Sequence, residues 1–365
     1  MAFDRTRPCA TRRVWGTRTA WIVGLILSLG PASPVRAATE PDWVNGSGKK
    51  YPAEMYLTGV GYADTRQAAE DRAYAAISKI FTAEINSKTE EWEKYLQSDS
   101  KGRTEDSRQI NIEQATEVST KKVLENVTIA ESWLDESKAL YYALAVMDRP
   151  HATSALRDRI ASLDLKVDEL LKQAKQGDHK LQTVRALHSA VANLLLREAY
   201  NAELRVVNPA GKGSESDVSL AGTNRELREF LAKNFKIAVA VGGDNSEAIR
   251  AAIVEGLNRQ GLPVASAVSA ADSRPDLLVK GSVTLDPVQL PASGTPRTHF
   301  VRWAAAFDLT DEASQQVIGS VARQGREGHL TAAEAEARAL RTAEQEVAGE
   351  VGGQIADFIY GKEEQ

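Results

Sequence analysis

The sequence predicts an α+β fold: two small α/β domains with mixed sheets, joined by an antiparallel helical hairpin. Three observations carry this. Strand-length apolar runs alternate with amphipathic stretches in the first and last thirds of the chain. Residues 151–204 switch to a sustained helical period. The length of 365 residues leaves each half enough chain to bury its own core.

Residues 1–37 read as an export leader. Six arginines stand there against one acid, Asp4, so the remaining chain carries a net −10 where the whole carries −5. An apolar run follows, from Ala20 to Leu29, about half of what a bilayer span needs. Val35-Arg36-Ala37 then offers small residues at the −1 and −3 positions, so cleavage is expected near Ala37. Thr11-Arg12-Arg13 leaves the general and twin-arginine export routes both open. The single cysteine, Cys9, precedes the apolar run. The expected mature chain therefore has no thiol, disulfide or thiolate metal site.

Residues 38–150 form the first expected domain. Met55 to Tyr62 reads as a strand ending in Gly59-Val60-Gly61, and Asp64 or Thr65 can cap the helix after it. Ala69, Ala73, Ala76, Ile77, Ile80 and Phe81 give that helix an apolar face. The stretch 82–124 has no clear period, and residues 99–103 suggest a loop. Val127, Ile129, Glu131 and Trp133 alternate, as do Leu140, Tyr142, Leu144 and Val146, which signals a hairpin.

Residues 151–204 carry the expected helical hairpin. Leu156, Ile160, Leu163, Val167, Leu170 and Ala174 recur at coiled-coil spacing, and Leu181 to Leu194 continue a similar stripe beyond Gln176-Gly177-Asp178. Either the hairpin packs on its own domain, or it projects and Leu156, Ile160, Leu163, Val167 and Leu170 touch a partner. Residues 205–234 read as linker and lead-in, with 208–214 exposed.

Residues 235–365 read as β-α-β-β-β-β-α. Ile237 to Val241 is a continuous apolar run, expected to be covered on both faces. Gly242-Gly243 turns into a helix carrying Ile249, Ile253 and Leu257, and residues 263–268 suit a further strand. Leu277, Val279, Val283 and Leu285 alternate with polar residues. Val301, Trp303, Ala305, Phe307 and Leu309 share a face, and Val317 and Val321 suggest its hairpin partner. Thr331 and Glu334 form a capping box for the last helix.

Recognisable catalytic chemistry is thin. No two of the five histidines sit at helical zinc-motif spacing, and no nucleophile elbow occurs. Gly59-Val60-Gly61 has Asp64 where a dinucleotide fingerprint needs its third glycine, a poor neighbour for pyrophosphate. Close helix contact explains those glycines better. Trp133 reads as a core residue rather than a sugar platform, and Trp43 and Tyr51 as parts of a packed N-terminal arm. The acidic balance excludes a nucleic-acid phosphate partner. No catalytic residue, cofactor or metal is therefore expected.

Pro41-Asp42-Trp43-Val44, Leu57-Thr58-Gly59-Val60-Gly61, the helix Ala68 to Phe81, Trp133-Leu134-Asp135 and Tyr141 to Val146 together resemble the LPP-twenty lipoprotein family. That family is similar to the N-terminal domain of the flagellar ring protein FlgT. The last third is similar in element order to TolB N-terminal and LpoB domains. The resemblance implies a non-enzymatic envelope scaffold or assembly factor, in a flagellar ring or at the cell wall. It would be periplasmic or peripheral to the outer membrane. Its partners would be envelope proteins or wall components, with homo-oligomers left open. The alternatives are an envelope enzyme acting on glycan or peptide, and a ligand-binding sensor. Family members are often lipidated, and this chain lacks a cysteine after its apolar run.

Overall fold

The computed structural model describes residues 39–46, 48–96, 105–177, 179–264, 274–288 and 298–361, with the side chains of 105–111 excepted. The expected leader, the loop at 99–103 and most of the expected strand at 263–268 lie outside these residues. The fold is α+β, with two sheets and a layer of long helices.

The first sheet comes from β1 (Tyr56–Ala63), β2 (Val127–Asp135) and β3 (Leu140–Asp148). Two helices separate β1 from β2: α1 (Arg66–Leu96) and α2 (Glu105–Leu124). The strand order is β1-β3-β2, antiparallel at both contacts. β1 and β2 run the same way, as a helical crossover requires, but β3 inserts between them. This sheet is thus antiparallel throughout, where a mixed one was expected.

Thr65 caps α1, its hydroxyl accepting from the Ala68 N–H at 3.3 Å. Ala69, Ala73, Ile77 and Phe81 are fully buried against the sheet. A β-carbon at Gly61 would lie 2.2 Å from the Ala69 carbonyl oxygen, and one at Gly59 2.6 Å from that of Ala73. These glycines therefore let a helix lie directly on a strand. Within the hard-to-read stretch 82–124, residues 82–96 and 105–124 are helical; Ile85, Trp92, Leu96 and Ile112 pack among other helices, and Val123 joins the first sheet's core.

The alternation through Val127, Ile129, Glu131 and Trp133 does not stay on one face. A bulge between Ile129 and Glu131 shifts the register. Val127 and Ile129 face the helices, and Trp133 joins the opposite face with Tyr142, Leu144 and Val146. There Trp43, 2% exposed, seals the outer core from the short 3-10 helix Asp42–Asn45. The expected packed arm is what forms.

The helical hairpin is present as α3 (Arg149–Gln176) and α4 (Lys180–Val207). Residues 205–234 are more than a linker. Helix α5 (Leu220–Asn234) begins at the Ser219 cap and buries Leu220, Leu227 and Leu231. The segment 208–214 is tied down as well: the Ser214 N–H donates to Asn201 Oδ1 at 2.6 Å.

The second sheet has the order β4-β5-β6-β7, from β4 (Ile237–Gly242), β5 (Leu277–Val288), β6 (His299–Asp311) and β7 (Gln316–His329). β4 and β5 are parallel across α6 (Ser246–Arg259), and the rest is antiparallel. This sheet is mixed. Of the expected strand near 263, one parallel bridge between Ile237 and Val264 falls within the described residues. β4 has only Ile237 buried and Ala240 exposed, so it is not a strand covered on both faces. Its outer face is open because the helices pack on one side of the sheet. Val301, Trp303, Ala305, Phe307 and Leu309 do line the inner face. Val321 joins them, but a bulge at Leu309/Thr310 turns Val317 outward, 60% exposed. Trp303 and Phe300 lie against Gly325 and Gly328 of β7, where any side chain would collide.

The chain closes with α7 (Ala332–Glu346), a π-helical turn (Val347–Val351) and α8 (Gly352–Tyr360). Thr331 caps α7 as expected, accepting from the Glu334 N–H at 3.3 Å. Val347, Val351 and Ile355 are buried. Residues 40–365 make one compact unit.

Gly61→Ala is expected to lower the unfolding free energy by about 1–3 kcal/mol, because neither backbone can give way. Gly353→Ala, with open space around its β-carbon, should raise it by up to about 1 kcal/mol. Urea unfolding of the two variants checks both signs.

Candidate functional site

Helix α4 is the element through which the molecule is assembled. Val184, Leu187, Val191, Leu194, Leu195, Ala199 and Ala202 belong to the core beneath the second sheet. Tyr200, Leu204 and Val207 belong to the core beneath the first. One helix is therefore buried in both cores.

Polar groups lock it at intervals. Arg197 has no exposed surface; its guanidinium donates to Asp164 Oδ1 on α3 (2.6 Å), to Glu198 Oε1 (2.9 Å) and to the Glu215 carbonyl (2.8 Å). A buried charge is tolerated only with this degree of pairing. Arg149 at the start of α3 donates to the Val206 and Val207 carbonyls at the end of α4. Arg185 does the same for α8, reaching the Phe358 and Ile359 carbonyls. His188 stacks on Tyr360 with ring centroids 4.1 Å apart. Burial pushes the His188 pKa down to about 4 and the Tyr360 phenol upward.

The seam on α3 closes on the chain itself. Leu156, Ile160 and Val167 are each 1% exposed, and Leu163 and Leu170 are half-buried. α4 fills the seam, so in this conformation the first three side chains are out of a partner's reach.

An exposed feature lies elsewhere. Tyr62, Tyr142 and Trp133 stand in register across β1, β3 and β2. Their ring centroids are 5.8 and 5.4 Å apart, tilted by 33° and 39°. Tyr62 is 57% exposed, and Tyr142 and Trp133 are half-buried. Trp133 packs against the outer core, as expected, with its indole nitrogen buried, and its ring also forms one end of this row. Its neighbour Tyr141 points to the helix-side core, as the alternation requires. The β2–β3 turn flanks the row. There Asp135 Oδ1 accepts from Ser137 Oγ (2.6 Å) and from two backbone N–H groups. These bonds, with Lys138, hold the Asp135 pKa down at about 2. Beyond the row, Glu131 accepts from Trp43 Nε1 (2.8 Å), Lys50 Nζ (2.7 Å) and Tyr51 Oη (3.1 Å), anchoring the N-terminal arm.

A groove of about 420 Å³ runs between α1 and α2, lined by Thr82, Asn86, Thr116 and Thr120 among others. Glu203, on α4 beside Thr120, is fully buried. Among the described residues no group of three His, Cys, Asp or Glu side chains is placed to hold a metal, and no helix is long and apolar enough to cross a membrane.

Sequence reasoning missed Arg197, Asp164 and Glu203. For Arg197 and Glu203 the available signal was charge at helical spacing among the apolar residues from Leu194 to Val207; Asp164 gave none.

The βααββ module is sealed by helices on one face and by an aromatic arm on the other. Residues 41–148 match the family model of the LPP20 lipoprotein. The structure is similar to a minor lipoprotein from Acinetobacter baumannii, at 13% identity over 33% of this chain and 91% of that one, with a TM-score of 0.27. It is also similar to a secreted protein from Helicobacter pylori, at 17% identity over 80% and 97%, with a TM-score of 0.34. A third similarity is to the PelC dodecamer from Paraburkholderia phytofirmans, at 16% identity over 31% and 87%, with a TM-score of 0.20. No curated protein sequence matches the chain. These matches do not bear out the expected likenesses to FlgT, TolB and LpoB.

Arg197→Leu should cost about 2–3 kcal/mol of stability, because the Glu215 carbonyl and Asp164 lose their donor; denaturant melts measure it. The lowered His188 pKa means the unfolded chain takes up its proton first. The stability tied to His188 is therefore full above about pH 6.5 and lost as pH falls toward about 4, by up to about 3 kcal/mol. His188→Phe should flatten that acid-side loss, read from melting temperatures across the interval.

Proposed function

We propose that this chain is a non-enzymatic scaffold or assembly factor of the cell envelope, exported to the periplasm, that recognises its partner through the outer face of its first sheet. The observation that carries the reading is the Tyr62–Tyr142–Trp133 row. It lies within the segment that matches LPP20 and is presented by a sheet fixed to the rest of the molecule through α4. Aromatic rings supply large contact area at low cost in side-chain freedom, and Tyr and Trp combine an apolar body with a polar tip. A rigid support means that little ordering free energy is lost on contact.

Crosslinking in intact envelopes followed by pull-down tests the reading. The expected result is recovery of an outer-membrane or cell-wall component with the wild-type chain, and at least about tenfold less with a Tyr62→Ala/Tyr142→Ala variant. Tyr62 is mostly exposed but Tyr142 is half-buried against the outer core, so a thermal melt of the variant is read beside the pull-down, and the single Tyr62→Ala variant decides if the double one does not fold. Recovery of no such component, or equal recovery with the variant, overturns the reading. Turnover of glycan or peptide by the purified chain would show an enzyme instead.

A further inference from the structure

Helix α2 is held chiefly by two other helices, with Val123 at its end reaching the first sheet's core. It packs on α1 and on α4, burying Ile112 and Val123. At its contact with α4 lies Glu203. Both carboxyl oxygens of Glu203 are buried beside Ser119 and Thr120 of α2 without a well-formed hydrogen bond, and the residue has no exposed surface. The Ser119 hydroxyl is committed to the Thr116 carbonyl at 3.2 Å. An ionised carboxylate left in such a place is among the costliest arrangements a fold can hold.

We propose that α2 docks onto α4 only when Glu203 carries a proton, so that the α2–α4 contact is a proton-dependent latch. The charged groups around the contact do not relieve the requirement. α3 offers Arg159, whose guanidinium lies over the Tyr200 ring at 5.7 Å and acts on Glu203 only from a distance. α2 brings Lys122, which bears on Tyr200 and pairs with Glu125 at 2.9 Å. α4 adds Tyr200 itself, with its phenol pushed upward by burial. On α1, Glu91 is held by Tyr95 and Lys88 and faces Arg205. No cation is therefore in direct contact with the carboxyl among these groups. Burial accordingly pushes the Glu203 pKa up to about 8, against the opposing pull of Ser119, Thr120 and Arg159.

The sign follows from proton counting. The docked state keeps its proton up to about pH 8, and the undocked state loses it near 4.5, the ordinary value for a glutamate. Between these values docking takes up one proton. The latch is fully closed below about pH 4.5 and loosens about tenfold per pH unit up to about 8. Thr120 lines the α1–α2 groove, so water reaches the carboxylate as soon as α2 lifts. Lifting uncovers the apolar face carrying Ile112 and Val123.

Hydrogen exchange of the full chain, corrected for the intrinsic pH dependence of exchange, tests this between pH 5 and 8. Amides of α2 should lose about tenfold in protection per pH unit relative to α5, and Glu203→Gln should abolish that slope. If α2 and α5 keep a constant ratio in the wild-type chain, the latch does not exist. The same follows if Glu203→Gln retains the slope. Should that variant fail to fold, the wild-type ratio alone decides. The partner reading above does not enter this measurement, so either can fail without the other.

Discussion

Everything else in this molecule depends on one helix serving two cores. α4 buries Val184, Leu187, Val191, Leu194 and Leu195 under one sheet and Tyr200, Leu204 and Val207 under the other, and only a narrow polar edge with Lys180, Arg185, Asn193 and Arg205 reaches toward water. The cost appears where charges remain. Arg197 is reconciled with burial by two carboxylates and a main-chain carbonyl. Glu203, six residues on, has no such company. The same helix therefore holds a group whose burial is fully compensated and one whose burial is not, and the two confer different properties. The first fixes α3 and the 214–215 segment in place; the second makes a contact responsive to acidity.

The arginines at helix ends extend this logic. Arg149 and Arg185 each place a guanidinium on carbonyls that a helix terminus leaves without partners. They tie α3 to α4 and α4 to α8, residues distant in sequence. The result is a helical layer whose ends are pinned by charge and whose middle is pinned by packing. The aromatic row on the first sheet gains from this, since its backing cannot shift without disturbing α1 and α4.

Much of this architecture was legible in the amino-acid order, and the failures have physical causes. Alanines at 69 and 73 with glycines at 59 and 61 announced a helix lying tightly on a strand, and it does. The seam from Leu156 announced a helical pair, and its partner is the next helix in the chain. Period-two alternation located the hairpin strands but could not register the bulges at Ala130 and Ile318, so Trp133 and Val317 took the opposite faces. The run from Ile237 to Val241 looked doubly covered because apolar composition does not distinguish a strand covered on both faces from one of small residues with an open face. The described parts of the stretch 82–124 lacked a clear period because α1 and α2 pack on several helices at once. Arg197 and Glu203 were invisible as sites because their meaning depends on what surrounds them in space.

The position of Tyr200, Leu204 and Val207 has a consequence for modular descent. These side chains come from outside the 41–148 segment, yet they complete its helix-side core. Severed from α4, such a segment would expose an oily wall along Phe81 and Val127. Any free-standing version must clothe that wall by other means: a different helix, a second copy of itself, or the hydrocarbon of a lipid.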